Sequence, residues 1–357
     1  MEESKYDFGL VGLGVMGRNF ILNVADNDFS AYGYDLSEAQ VKALEVEAED
    51  KENIKATTNV EEFINALKTP RKIMLLVPAG KIVDHAIENL LPLLDQGDII
   101  IDGGNSFFKD TDRREAYLKD RGIHFFGSGV SGGAEGARKG PSIMPGGDKE
   151  AYSHVKPIFE AVSAKYKGEP CVAYLGPKSA GNYVKMVHNG IEYAMMQMTS
   201  EIYDLLKKSC DLTNEELHQV YDTWNKGRLQ SFLVEITAEI FNQKDDLTDE
   251  DLVDMILDKA KQKGTGKWTS QNAMDLGIPV PTIDMAVSMR EISALKNERV
   301  QADKLYSRPE VAHIAKEELI TQAEQALYFS FIVAYAQGLH QLMYASKEYG
   351  YDLDISC

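Results

Sequence analysis

The stretch Phe8-Gly9-Leu10-Val11-Gly12-Leu13-Gly14-Val15-Met16-Gly17 decides the fold. A short β-prone run ends in a GxGxxG turn that opens a helix, the pattern of a dinucleotide-binding βα unit. Each glycine has its own task. The first permits the tight turn, the second lets backbone approach a pyrophosphate, and the third lets helix pack on strand. The unpaired N–H groups and positive dipole end of the helix then face the phosphates. A glycine turn alone is a weak signal, but here Asp35 closes a second β-rich run, Ser30–Tyr34, about 20 residues on. Gly12, Gly14, Val15, Met16, Gly17 and Asp35 are therefore candidate cofactor residues.

Asp35 also bears on which dinucleotide binds. Its carboxylate can accept hydrogen bonds from both adenosine ribose hydroxyls of NAD, whereas the 2′-phosphate of NADP would lie beside it. Two like charges ~4 Å apart repel by about 4 kcal/mol at an effective dielectric near 20, before salt reduces this. No Arg or Lys occurs between Ala31 and Val41, and Lys42 is the nearest following cation. The sequence thus favours NAD, unless Asp35 turns away or Lys42 folds back.

Outward from the glycine turn, β-rich runs alternate with helical ones. Strands are predicted at Phe8–Val11, Ser30–Tyr34, Lys72–Val77, Asp98–Ile101, His124–Gly127 and Cys171–Leu175. Helices are predicted at Gly17–Ala25, Glu38–Val46, Val60–Leu67 and Thr111–Asp120. Such alternation defines an α/β, Rossmann-like doubly wound parallel sheet. From about Ser179 the pattern turns helical, with Thr213-x-x-Glu216 and Thr248-x-x-Asp251 resembling capping boxes. Long helices are predicted over Tyr183–Leu206, Thr282–Asn297 and Glu317–Glu348. The expected organisation is a dinucleotide-binding domain over 1–178 and an all-α substrate and dimerisation domain over 179–357.

Bulk properties narrow the function. A net charge of −18 would repel a phosphate backbone, so nucleic acid is not the expected partner. No apolar run is long enough to cross a bilayer, and MEESKYDFGL lacks the features of a signal peptide. Cys171, Cys210 and Cys357 are few and far apart, which fits a reducing cytoplasm and neither a disulfide framework nor a metal site.

Within the second half, Lys185, His188, Asn189 and Glu192 fall at i, i+3, i+4 and i+7, one face of a helix otherwise rich in apolar residues. The ordinary reading is a solvated polar stripe. The alternative is a helix lining a cavity at the seam of two domains, with a lysine and a glutamate as base and acid. Three further glycine-rich loops follow predicted strands: Val77-Pro78-Ala79-Gly80, Asp102-Gly103-Gly104-Asn105-Ser106 and Gly127-Ser128-Gly129-Val130-Ser131-Gly132-Gly133. Loops at the carboxyl ends of strands converge on the ligand crevice of such a sheet. Lys263-Gly264-Thr265-Gly266-Lys267-Trp268-Thr269 reads as a phosphate-gripping loop, and Arg290 as a forked cation beside it. Together they outline a pocket for a phosphorylated sugar acid.

These motifs, with Gly140-Pro-Ser-Ile-Met-Pro-Gly-Gly147, resemble the 6-phosphogluconate dehydrogenase family, decarboxylating enzymes of the pentose phosphate pathway, from the first strand to about Tyr351. The resemblance implies that Lys185 is the general base and Glu192 the general acid, with a lowered pKa for the first and a raised one for the second. It implies that Asn105, Ser131, Gly132, Gly133, His188 and Asn189 hold the sugar acid. Tyr193, Lys263, Thr265 and Arg290 would hold its phosphate, and Val77, Pro78, Ala79 and Asn105 would contact the cofactor. No metal is implied, and a homodimer is. Family members that use NADP usually carry Asn-Arg-Thr or Asn-Arg-Ser where this sequence has Asp35-Leu36-Ser37. Full-length members also continue beyond Tyr351, through helices and a tail that reaches a partner subunit, whereas this sequence stops at Cys357. Two rivals stand beside this reading: a β-hydroxyacid dehydrogenase acting on a smaller acid, and a catalytically impaired dinucleotide-binding fragment.

Overall fold

The computed structural model describes residues 5–306 and 314–355; Cys357 and the first four residues of the N-terminal stretch lie outside them. The chain divides into two compact units, residues 1–186 with 342–357, and residues 187–341.

The first unit is built on a seven-stranded sheet. Its elements begin with β1 (Phe8–Val11), α1 (Val15–Asp26), β2 (Ala31–Tyr34), α2 (Glu38–Glu47), β3 (Ile54–Thr57), α3 (Val60–Ala66), β4 (Lys72–Leu75) and α4 (Lys81–Leu90). There follow β5 (Ile99–Asp102), α5 (Phe108–Lys119), β6 (His124–Ser131), α6 (Gly133–Lys139), β7 (Ser142–Gly147) and α7 (Lys149–Val162). The strand order is β3-β2-β1-β4-β5-β6-β7, so the direction of winding reverses between β1 and β4. β1 to β6 run parallel and β7 pairs antiparallel with β6.

Alternation along the strands fills two cores. Phe8, Leu10, Met74, Ile99 and Ile101 pack on one face with Phe20 and Phe159. Val11, Ile73, Leu75 and Ile100 pack on the other with Phe63, Val83, Ile87 and Leu118. Burial on both faces is what a parallel sheet requires, and it explains the nearly continuous apolar runs of β1, β4 and β5.

One expected strand is corrected here, and two strands are additional to those expected. Cys171–Leu175 is not a sheet strand: only Val172 forms a bridge, to Ile143, while the neighbouring two-residue strands β8 (Lys165–Tyr166) and β9 (Glu169–Pro170) form a small hairpin. The edge position is taken by β7, whose Pro145 and glycines disguise it; proline is tolerated at a sheet edge. β3, a half-exposed strand holding Lys55, was not expected at all.

The second unit is helical. α8 (Ala180–Cys210) is one continuous helix whose first seven residues belong to the first unit. After it come α9 (Asn214–Asn225), α10 (Phe232–Asn242), α11 (Leu252–Met255), α12 (Thr265–Leu276), α13 (Pro281–Ala294), α14 (Lys296–Leu305) and α15 (Lys316–Tyr349), the last ending in the first unit. Ala180–Met186 and Leu342–Tyr351 belong to the first unit. Tyr183, for instance, sits among Phe108, Tyr349 and Tyr351, and the Ser179 hydroxyl meets the Tyr351 hydroxyl at 2.9 Å.

Thr213 and Glu216 form both halves of a capping box at α9. Thr248 and Asp251 do not: the Thr248 hydroxyl donates to Asp245, and only the four-residue α11 follows. The helix expected over Thr282–Asn297 breaks at Leu295 into α13 and α14.

Candidate active site

The crevice outside the carboxyl ends of β1 and β4, where the winding reverses, is the general ligand position of a doubly wound sheet. A cavity of about 820 Å³ lies there, lined by Gly12, Gly14, Asp35, Val77 and Pro78 among others. Gly12 has φ +98°, and a Cβ there would sit 2.6 Å from the Leu76 carbonyl oxygen. A Cβ on Gly17 would sit 1.8 Å from the Gly12 oxygen, so helix and strand can approach only without it. Above Gly14 the space is open. Gly14 is also the N-cap of α1 and no side chain caps that terminus, leaving its amides for a ligand. These residues fit a dinucleotide pyrophosphate.

Asp35 is fixed rather than turned away. Its Oδ2 accepts from the Leu13 amide at 2.7 Å and its Oδ1 from the Ser37 amide at 2.8 Å. Val15, Met16 and Ala79 are at least partly exposed near the turn without lining the cavity, and Asn105 is exposed on the loop after β5. Sequence reasoning missed Tyr34, His85 and Asn89, which complete the wall. The signal was present in the i, i+3, i+7 spacing of Ile82, His85 and Asn89 on α4.

The loops carrying Val77–Gly80 and Asp102–Ser106 are tied together by a residue not singled out from sequence. Arg114, 1% exposed, donates from Nε to Asp84 (2.8 Å) and from Nη2 to the Gly80 carbonyl (2.9 Å). Its Nη1 lies 3.4 Å from both Asp102 and Ser106. Asn182 holds the same region, taking a bond from the Thr111 hydroxyl (2.8 Å) and reaching the Gly104 carbonyl (3.4 Å).

One helical turn on, Lys185 is 6% exposed. Its stem lies against Gly129 of β6, so closely that a Cβ at 129 would be 2.4 Å from Lys185 Cβ and 2.7 Å from Cγ. Ser131 ends the same strand, and Gly132 (φ +121°) and Gly133 (φ +63°) turn the chain into α6. Gly129→Ala must therefore move the helix backbone rather than a flexible side-chain tip. We expect a loss of about 1–3 kcal/mol in urea unfolding, as for overpacked cores. Dinucleotide affinity should be unchanged, since Gly129 does not line the cavity.

The remaining candidates lie in the second unit. His188 Nδ1 is 3.5 Å from the Glu192 carboxylate and 3.2 Å from Asn189 Oδ1. Asn189 Nδ2 donates to the Thr265 hydroxyl at 3.1 Å. The Lys263–Thr269 motif is not a loop throughout: only Lys263 and Gly264 (φ +105°) precede α12, and Thr265 begins it. Gly266 packs under the Tyr193 ring, where a Cβ would approach to 2.5 Å. The Arg290 guanidinium lies over that ring, 3.8 Å from its centroid, and Nη1 donates to the Lys261 carbonyl (2.7 Å). Asn189, Tyr193, Thr265 and Arg290 thus form one cluster, and Lys263 is exposed beside its helix start. Among the described residues no group of three His, Cys, Asp or Glu is placed to hold a metal, and no helix is long and apolar enough to cross a membrane.

A doubly wound sheet with an uncapped glycine turn at its switch point, an aspartate closing β2 and a buried lysine on the following long helix defines a dinucleotide-dependent oxidoreductase. The chain belongs to the 6-phosphogluconate dehydrogenase family. Residues 7–176 match the model of the NAD-binding domain of 6-phosphogluconate dehydrogenase, and residues 181–357 that of its C-terminal domain. The decarboxylating, NADP(+)-dependent 6-phosphogluconate dehydrogenase of Bacillus subtilis is 55% identical over 98% of this chain and 75% of its own length. The decarboxylating enzyme of Escherichia coli is 51% identical over the same shares. The Plasmodium falciparum 6-phosphogluconate dehydrogenase structure, described with NADP+ and with 6-phosphogluconate, aligns with TM-score 0.92 and 43% identity over 98% of this chain and 76% of its own. A 3-hydroxyisobutyrate dehydrogenase from Salmonella typhimurium shares the fold alone, at 18% identity and TM-score 0.61.

Proposed function

We propose that this chain catalyses the oxidative decarboxylation of 6-phosphogluconate to ribulose 5-phosphate and CO2, as a cytoplasmic homodimer. Family membership names the chemistry. The observation in this chain that carries it is Lys185, buried on α8 with its stem held by Gly129 and seven residues before Glu192 on the same helix.

Lys185 Nζ takes the proton of the substrate 3-hydroxyl as the C3 hydrogen leaves with its electron pair. The bound dinucleotide supplies the hydride acceptor. The product is a β-keto acid, so the carboxylate departs as CO2 and its bonding electrons pass into the neighbouring carbonyl. Protonated Lys185 donates to that developing enolate oxygen, and Glu192 delivers the proton to C1 of the enediol. Asn105, Ser131, Gly132, Gly133, His188 and Asn189 hold the sugar acid. Tyr193, Lys263, Thr265 and Arg290 hold the phosphate, to which the planar guanidinium and the helix start contribute charge and donors.

The test is an assay with 6-phosphogluconate and either dinucleotide, following reduced nicotinamide and CO2 together. Equimolar formation of both is expected. Reduction without CO2, or no reduction with any concentration of 6-phosphogluconate, would reject the reaction.

A further inference from the structure

We infer that the cofactor cavity of this chain selects NAD over NADP, with Asp35 and Leu36 as the residues that decide it. The inference rests on the cofactor half of the proposed function and departs from the name of the Bacillus subtilis relative, which is NADP(+)-dependent.

Three observations carry it. First, Asp35 is held between the Leu13 and Ser37 amides, so its carboxylate cannot swing out of the cavity without breaking both bonds. Each carboxylate oxygen accepts one of these and keeps a further lone pair. Those lone pairs suit the two hydroxyls of an unmodified adenosine ribose, and they face a 2′-phosphate with like charge. Second, among the described residues that line the cavity none is a Lys or Arg, and His85 is the one imidazole. Asp35 is the one Asp, Glu, Lys or Arg among the residues lining the cavity. Leu36, where a guanidinium could reach the phosphate, is 84% exposed and apolar. Third, two cations on the flanking helices α1 and α2 already have partners. Lys42 pairs with Glu38 at 2.9 Å, a contact that raises the Lys42 pKa and lowers that of Glu38. Arg18 is spread over Glu47 (3.0 Å), the Leu13 carbonyl (2.9 Å) and Gln40. Recruiting either for a 2′-phosphate would break those contacts.

Leu36→Arg adds the missing cation at an exposed position and leaves Asp35 in place. Asp35→Asn keeps an acceptor for Leu13 or Ser37 while removing the charge. Fluorescence titration with NADH and NADPH, without sugar substrate, reads the outcome independently of turnover. The parent chain should bind NADH at least tenfold more tightly than NADPH. Leu36→Arg should raise NADPH affinity at least tenfold with NADH nearly unchanged, and the double variant should prefer NADPH. Equal or tighter NADPH binding by the parent chain overturns the inference and leaves the dehydrogenase reading standing. Binding of neither dinucleotide overturns both.

Discussion

Lys185→Met should abolish most turnover, lowering kcat by about 10²- to 10⁴-fold, the range set by removal of a general base, while dinucleotide affinity stays unchanged. Methionine keeps the length and the apolar stem that lies against Gly129 and loses only the ammonium. Lys185 does not line the cofactor cavity, so a titration with NADH should superimpose on that of the parent chain. Stopped-flow single turnover separates the possibilities. A slowed burst of reduced nicotinamide places the loss at hydride transfer, where the hydroxyl proton must leave. A normal burst followed by slow CO2 release would restrict Lys185 to the decarboxylation step. Unchanged turnover would remove it from the mechanism.

The glycine turn and the elements around it could be read from sequence because each signal was local. Gly12, Gly14 and Gly17 lie within six residues between one strand and the helix that follows it, and Thr213 and Glu216 close a capping box within one helical turn. The same holds for α8 and α15, long enough for periodicity to dominate. What could not be read depends on partners far along the chain. Ser142–Gly147 looks like a loop until β6 is there to pair with it, and Cys171–Leu175 looks like a strand although it meets the outer edge of β7 through one bridge and two backbone hydrogen bonds only. Thr248 has the spacing of a cap, but Asp245 claims its hydroxyl. On the site, the glycines and Asp35 were legible because their chemistry is backbone chemistry. Arg114 and Asn182 were not, since a charged residue in the polar run Lys109–Glu115 carries no local sign of burial and an Asn in a helix none of a distant partner. Only the tertiary fold reveals that Arg114 is almost wholly enclosed.

That enclosure makes Arg114→Met the largest expected change in stability. Asp102 is fully buried, and burial pushes its carboxyl pKa up against the opposing pull of Ser106 and Arg114. Asp84, by contrast, is held below its usual value, chiefly by Arg114. Removing the guanidinium leaves the Asp102 carboxyl without the cation that opposes its burial, and breaking a buried pair from one side costs about 3–5 kcal/mol. Guanidinium unfolding should show that loss at neutral pH. The sign of its pH dependence follows from both carboxyls. A raised folded pKa means stability falls as pH rises past the unfolded value, and losing Arg114 extends that window upward for Asp102. A depressed folded pKa contributes stability above the unfolded value, and Asp84 forfeits part of it in the variant. Both act in one direction: the gap between variant and parent should widen from the ordinary carboxylate range to neutrality and narrow on acidification. Arg114→Lys should recover only part of it, because an ammonium cannot serve Asp84, Asp102 and the Gly80 carbonyl at once. Dinucleotide affinity should fall alongside stability, since the Gly80 loop carries Val77 and Pro78 to the cavity wall. A gap that stays constant with pH would mean that Arg114 shifts neither Asp102 nor Asp84 and acts through packing alone.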